Sequence, residues 1–281
     1  MQSALAEPAL VLLGLLGLLV GSFLNVVIYR LPKMMERQWT ADGAQAWGQA
    51  APPMEPFNLI VPRSTCPHCA AGIAWYDNIP LLSYGLLRGR CRHCQASIGL
   101  RYPMVELGTA LLFAFCGWRW GLGAAAMAWC AWMAGMLTLA LIDWDSTLLP
   151  DVIVLPLLWL GLIGANLQWT GVSLEQALWG AVAGYLSLWS VYWVFKIVTG
   201  KEGMGYGDFK LLACLGAWFG WQLLIPLILL SSVVGTVVGL ALKFGGGLRE
   251  GGYMPFGPFL AGAGFVCLAW SPTALRAAIG L

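Results

Sequence analysis

Asp143 and Asp208 are the residues whose type and setting point most directly to chemistry. Asp143 closes the apolar run Ala124–Ile142, while Asp208 follows Gly205-Tyr206-Gly207 and opens into Phe209-Lys210-Leu211-Leu212. A carboxylate at the mouth of an apolar helix is costly to keep, and its default reading is functional. Two acids held close together cannot both ionise, so one takes a proton from water while the other, protonated, polarises a carbonyl. That is the chemistry of peptide hydrolysis by an aspartyl pair. The glycines before Asp208 let backbone approach backbone and permit dihedrals that a side chain forbids. Taken alone, Gly-x-Gly-Asp also reads as a turn with a helix N-cap. Around Asp143, two more acids compete. Asp151 precedes the helix beginning at Val152 and suits an N-cap. Asp145 reads as a solvated loop charge and ranks second. Asp143 follows the apolar run directly, sits deepest and ranks first as Asp208's partner.

A second constellation is Cys66-Pro-His-Cys69 and Cys91-Arg-His-Cys94, a C-x2-C pair repeated after 21 residues. Each pair presents two thiolates to one tetrahedral zinc ion, and with four sulfurs the site is closed and structural. Two disulfides, or redox chemistry, are the competing readings; a reducing compartment, argued below from charge, disfavours disulfides. His68 and His93 lie inside the knuckles and read as turn residues rather than ligands. Cys116, Cys130, Cys214 and Cys267 fall within apolar helices and read as small core residues.

The elements that must position these groups are membrane helices. Only 10% of residues are charged, 59% are hydrophobic and the mean hydropathy is +0.76. Such a composition excludes a soluble domain, and with a net charge of +2 and no basic cluster nothing points to nucleic acid. Met1–Leu10 lacks the basic region of a signal peptide, so the first apolar run is expected to stay as a helix. Charge-free runs predict spans at Pro8–Tyr29, Pro103–Trp118 with Glu106 near its first turn, Trp120–Ile142, Val152–Leu174, Gln176–Phe195 and Gly251–Leu275. Leu211–Leu242 as one helix would run to roughly 48 Å at about 1.5 Å per residue, too long for one ordinary pass. Placing every Lys and Arg except Arg119 and Arg276 in the cytoplasm puts the loops at 196–210 and 243–250 on one side. An even number of passes must separate them, so Leu211–Leu242 is expected to be two short helices turning near Trp218-Phe219-Gly220-Trp221.

The expected fold is therefore an all-α polytopic membrane protein with about eight transmembrane helices and both termini outside. Residues 1–30 form the first helix. Residues 31–102 form a cytoplasmic insertion with the four-cysteine zinc module at 66–94 and a poorly ordered linker at Gln38–Asn58. Residues 103–142 form helices two and three, and 143–281 form a core of helices four to eight. The acid-bearing loops face the cytoplasm, and no internal repeat is evident.

An ordered set of motifs now carries a resemblance. They are Gly21-Ser22-Phe23-Leu24-Asn25-Val26-Val27-Ile28-Tyr29-Arg30-Leu31-Pro32, the paired C-x2-C segment, Arg101-Tyr102-Pro103-Met104-Val105-Glu106, Asp143-Trp144-Asp145-Ser146-Thr147-Leu148-Leu149-Pro150-Asp151, Gly205-Tyr206-Gly207-Asp208 and Pro255-Phe256-Gly257-Pro258. Together they resemble the bifunctional type IV prepilin leader peptidases, which are membrane aspartyl proteases of the GxGD class. No single motif is very specific, but their order spans nearly the whole chain. Trp144 stands where a smaller residue would be expected.

The resemblance implies an inner-membrane endopeptidase that removes the short basic leader of prepilins or pseudopilins at the cytoplasmic face, cutting after a glycine. It implies N-methylation of the new N-terminal residue, usually phenylalanine, with S-adenosylmethionine. It maps the catalytic acids onto Asp143 and Asp208. Its partners would be those substrates, of type IV pili or type II secretion, and membrane lipids. Pro255–Pro258 would start the last helix on the same face, either as a simple helix-start turn or as a surface for the extended substrate. No Gly-rich nucleotide fingerprint is present, so the methyl donor is expected in a pocket between the cysteine module and the first two helices. Glu106 is the residue favoured there, facing the sulfonium or the substrate's α-amino group, with a salt bridge to Arg30 or Arg101 as the structural alternative. Asn25 is a further polar group at that end of helix one. Three other functions compete: an ion- or proton-coupled transporter using the same acids, a non-enzymatic assembly factor docking through the cysteine module, and a peptidase that does not methylate.

Overall fold

A computed structural model of the chain describes residues 2–49, 55–245 and 254–270. It is all-helical, with no β-strand among the described residues and only two isolated β-bridges, Thr65 with Gly72 and Arg90 with Ser97. The chain divides into two compact units, Met1–Cys130 and Ala131–Leu281.

The first unit is built on α1 (Gln2–Ala46) and α3 (Arg101–Trp120), with the short α2 (Leu82–Leu86) in the segment between them and the start of α4 (Ala124–Ser146) after them. The α1–α3 seam is lined by small residues. A Cβ on Gly17 would sit 2.7 Å from the Ala110 Cα, and one on Gly21 would sit 2.8 Å from the Glu106 Cα. Side chains as small as these let apolar helices gain packing where lipid offers no hydrophobic drive. α1 continues well past the expected boundary near residue 30. It covers 45 residues, about 67 Å at about 1.5 Å each, so Gln38–Ala46 is helix rather than a loose linker. The reason is composition: Glu36, Arg37, Gln38, Ala41, Ala44 and Gln45 all favour helix. The returning chain is then tied to this extension, with the Arg37 guanidinium 4.2 Å from the Phe57 ring centroid and donating to the Glu55 carbonyl at 3.3 Å. The middle of the expected linker, 50–54, lies outside the described residues.

The second unit contains the rest of α4 and then α5 (Asp151–Asn166), α6 (Leu174–Thr199), α7 (Tyr206–Phe219), α8 (Leu224–Phe244) and α9 (Gly257–Ala269). At its centre is α7, buried from Asp208 through Phe219 apart from Lys210. A helix surrounded on every side has no polar face to show, which is why its sequence is apolar all round. Gly180 of α6 and Gly216 of α7 meet backbone against backbone, so a Cβ on either would collide with the other's carbonyl. Trp218 donates its indole N–H to the Leu157 carbonyl of α5 at 2.8 Å, and its ring packs 6.0 Å from that of Trp132 on α4. α6 opens with a reciprocal capping box in which Gln176 N–H donates to the Ser173 hydroxyl at 3.2 Å and Ser173 N–H to the Gln176 side chain at 3.1 Å. α5 stops at Asn166, short of the expected Leu174. The expected break is present: α7 ends at Phe219, Gly220 adopts φ +76, and a 3-10 turn at Trp221–Leu223 leads into α8.

Four helices among the described residues are long and apolar enough to cross a membrane: Glu7–Ala46, Ala124–Ser146, Leu174–Thr199 and Trp221–Phe244. Their outer faces carry exposed Leu15, Leu19, Phe23, Val233, Val237 and Leu240, a surface suited to lipid rather than water. The expected last span at Gly251–Leu275 is described only as α9; its ends, and Arg249 and Arg276 of the charge argument, lie outside the described residues. Gly180→Leu should force α6 off α7 and lower stability by about 1–3 kcal/mol, read as an earlier thermal unfolding midpoint in detergent. An unchanged midpoint would show that the seam is not tightly packed.

Candidate functional site

Asp143 and Asp208 are both buried, at 4% and 7% exposure. Asp143 does not end its helix, because α4 runs on to Ser146 and places the acid inside the last turn. The Thr147 N–H closes that turn by donating to the Asp143 carbonyl at 2.8 Å, with Thr147 at φ +57. Asp208 is not the N-cap of α7. Gly205 holds that position, and Asp208 is the third residue of the helix, within its first turn, with its N–H donating to the Gly205 carbonyl at 3.3 Å. The two acids come from different helices, yet Asp143 lies close enough for its charge to act on Asp208.

Gly257 was not singled out from sequence, although its Pro-Phe-Gly-Pro motif was. Its N–H, at the start of α9, donates to Asp143 Oδ2 at 2.8 Å. The free N–H groups of a helix start are natural donors to an anion. No other residue fits there, since a Cβ on Gly257 would lie 2.6 Å from that oxygen. Leu149 is the spacer between the motifs: a Cβ on Gly207 would meet its Cβ at 2.7 Å, and its Cδ2 lies 3.1 Å from where a Gly257 Cβ would stand. Pro255–Pro258 is therefore a helix start, and one that touches the site. Asp208 Oδ1 is buried without a hydrogen-bond partner among the described residues, which is rare and unfavourable for a structural side chain.

Asp145 is exposed. Asp151, expected as an N-cap, is instead the first residue of α5, and its carboxylate pairs with Lys210 Nζ at 2.7 Å. That pair joins α5 to α7 two residues beyond Asp208. On the other side of α7, Tyr192, Tyr206 and Phe209 pack with ring centroids 5.2 to 5.6 Å apart. Lys196 holds the glycine-rich loop by donating to Glu202 at 2.8 Å and to the Tyr192 hydroxyl at 3.2 Å. Asp208 thus sits on a braced helix start.

In the first unit the four knuckle sulfurs lie within 4.8 Å of one another, with Cys66 and Cys94 Sγ 3.8 Å apart. Tetrahedral zinc with bonds of about 2.3 Å needs sulfurs about 3.8 Å apart, so this set is compatible with zinc. The two knuckles repeat each other. The Cys66 carbonyl accepts from Ala70 N–H at 2.9 Å and the Cys91 carbonyl from Gln95 N–H at 3.0 Å, with Ala70 at φ +57 and Gln95 at φ +59. The sequence pattern Cys-x-His-Cys-x-Ala-x-Ile at 66–73 and 91–98 carries this repeat, which the linear reading missed. Backbone N–H groups of Cys69 and His68 point at the Cys66 sulfur and lower its thiol pKa to about 6, and those of Cys94 and His93 lower that of Cys91. His68 and His93 are exposed and outside the sulfur cluster. Arg92, in the second knuckle, grips Asp77 with its Nε 2.8 Å from Oδ2.

A cavity of about 470 Å³ lies among the knuckles, α1 and α3, lined in part by Ser22, Asn25, Arg30, Ile79, Tyr102 and Glu106. Glu106 is 9% exposed and accepts the Leu81 N–H at 2.8 Å. Arg30 is not its partner, because the Arg30 guanidinium donates to the Asn58 carbonyl at 2.9 Å. Asn25 ties α1 to α3 by donating to the Tyr102 carbonyl at 3.2 Å.

With this geometry in view, comparison with known proteins gives a consistent result. Residues 15–120 match the bacterial peptidase A24 N-terminal domain, and 130–240 match the type IV leader peptidase family. A prepilin leader peptidase/N-methyltransferase of Pseudomonas aeruginosa is 56% identical over 265 residues, covering 93% of this chain and 90% of that protein. Proteins of the same name from Stutzerimonas stutzeri (56% identical; 91% of this chain and 88% of that protein) and Aeromonas hydrophila (51%; 94% and 92%) are also similar. No solved structure matches. With so much of each relative covered at such identity, the chain belongs to the type IV leader peptidase family, in its prepilin leader peptidase/N-methyltransferase branch.

Proposed function

We propose that this protein is an inner-membrane aspartyl endopeptidase that removes the leader of prepilins or pseudopilins at the cytoplasmic face and then N-methylates the new N-terminal residue. The observation that carries the peptidase half is the burial of Asp143 and Asp208 within electrostatic reach of each other, with the Gly257 N–H on the first of them. One water sits between the acids in this reading. Asp143, oriented by the Gly257 N–H, takes its proton, while Asp208 donates to the carbonyl oxygen of the scissile bond. The reverse transfers then release the leader carboxyl and the new amine. A prepilin is itself a membrane helix behind a charged leader, so its cleavage point reaches the membrane boundary where these helix ends belong. The Lys and Arg distribution supports eight passes with the acids facing the cytoplasm. Transport through the same acids gains no support from the helix-end placement or the relatives.

For the second half, S-adenosylmethionine supplies an electrophilic methyl group when bound. The cavity of about 470 Å³ falls in the size range of ligand sites and carries a buried carboxylate. Glu106 faces the cationic reacting end there, and aromatic Tyr29, Phe57, Tyr84 and Tyr102 furnish its walls. Cys66, Cys69, Cys91 and Cys94 would hold a structural zinc ion that fixes one wall of this cavity.

The test of the whole reading is a prepilin incubated with the purified protein, with and without S-adenosylmethionine, followed by mass measurement of the N-terminal peptide. Leader loss in both samples, with one added methyl only when the donor is present, is the expected result; an uncut prepilin would refute it. Asp143→Asn and Asp208→Asn should each lower the cleavage rate by about 10³-fold or more in a protein that still inserts. Asp145→Asn should cleave normally, and cleavage surviving in D143N would move the role to Asp145. Elemental analysis of the purified chain should find a single bound zinc ion, lost in Cys66→Ser and Cys91→Ser. Equal metal content in those variants would remove the zinc assignment.

A further inference from the structure

Arg30 and Glu106 are both buried on the wall of the same cavity, at 8% and 9% exposure, and they are not paired with each other. Glu106 spends one oxygen on the Leu81 N–H. Arg30 spends one donor on the Asn58 carbonyl and lays its guanidinium 5.7 Å from the Phe57 centroid, leaving its other N–H donors without an acceptor among the described residues. Of the remaining charged side chains on this wall, Asp77 and Arg92 satisfy each other, and Arg63 is exposed. A largely buried guanidinium with spare donors beside a ligand-sized cavity calls for an anion. Position along α1 separates the two charges. Gly21 lies against the backbone of Glu106, and Arg30 follows it by roughly 13 Å of helix axis at about 1.5 Å per residue.

S-adenosylmethionine has one anionic group, the α-carboxylate, at the end of its amino-acid arm, with the sulfonium further in. We propose that Arg30 binds this carboxylate, and that the anchoring turns the sulfonium toward Glu106. The planar guanidinium matches a carboxylate through parallel N–H donors, which an ammonium cannot do. This inference rests on the cavity being the methyl-donor site. It makes Arg30 a determinant of donor recognition, distinct from the acids that cut the leader.

The experiment compares, by calorimetry on the full chain in nanodiscs, the dissociation constants of two methylation inhibitors: S-adenosylhomocysteine and its decarboxylated analogue, which differ only in the carboxylate. The wild-type protein should prefer the carboxylate-bearing compound by about tenfold or more, the scale of a charge-assisted hydrogen bond. Arg30→Gln should bring that ratio close to one by weakening S-adenosylhomocysteine alone, and Arg30→Lys should leave an intermediate ratio. Leader cleavage in the same preparation reports folding; if R30Q fails to fold, R30K decides by its ratio. A ratio unchanged in the variants, or both inhibitors weakened equally, overturns the role of Arg30. Ile79→Trp, which narrows the cavity without touching either charge, separates the two levels of the argument. A raised KM for the donor in that variant supports the cavity. An unchanged KM removes the cavity reading, and the Arg30 anchor with it.

Discussion

A carboxylate buried beside a second carboxylate is unfavourable twice over, through lost hydration and through repulsion. The second unit is organised around keeping that arrangement. Asp208 sits on a helix buried on nearly every side, whose position is fixed where Gly216 meets Gly180 and where Trp218 bonds the α5 backbone. The Lys210–Asp151 pair and the Tyr192–Tyr206–Phe209 cluster brace the helix start itself. Asp143 is held from another direction by a helix-start N–H that only glycine can bring so near. In the proposed reaction both acids are held in place before substrate arrives, so little reorganisation is left, which is where preorganised sites gain their rate.

The first unit solves a different problem. Among its described residues the segment between α1 and α3 contributes no strand, one five-residue helix and a 3-10 turn at Trp75–Asn78, too little to build an apolar core of its own. Two repeated knuckles that converge four sulfurs, a bidentate Arg92–Asp77 contact, and Phe57 set against Arg30 and Arg37 supply the order instead. The result is a cavity with one buried cation and one buried anion on its wall, an arrangement that a purely structural insertion would not need.

Much of this was legible in the residues, and what was not has identifiable causes. Helix length forced the break at Gly220, because no single pass accommodates Leu211–Leu242. The cysteine spacing fixed the metal-type cluster, and the Gly-x-Gly before Asp208 marked its acid. By contrast, Gln38–Ala46 looked like a linker because its Ala and Gln content suits both a loose chain and a helix; the contacts of Arg37 with Phe57 and Glu55 lie 18 to 20 residues away in sequence. Asp151 looked like a cap because its ion-pair partner Lys210 is 59 residues distant. The Gly257 hydrogen bond spans 114 residues and involves only a backbone N–H on the donor side, which no side-chain motif advertises. Glu106, expected to face a cationic partner or to bridge to Arg30 or Arg101, is buried and accepts the Leu81 backbone N–H instead of pairing with Arg30.

The central claim is that Asp143 and Asp208 work as one unit holding a single proton between them. The rate of leader cleavage under single-turnover conditions, followed across pH, tests it most directly. A pair that needs one protonated and one ionised member loses activity in acid, where both are protonated, and in base, where both are ionised. The expected profile is a bell. A profile with one limb, or none, would contradict the pair.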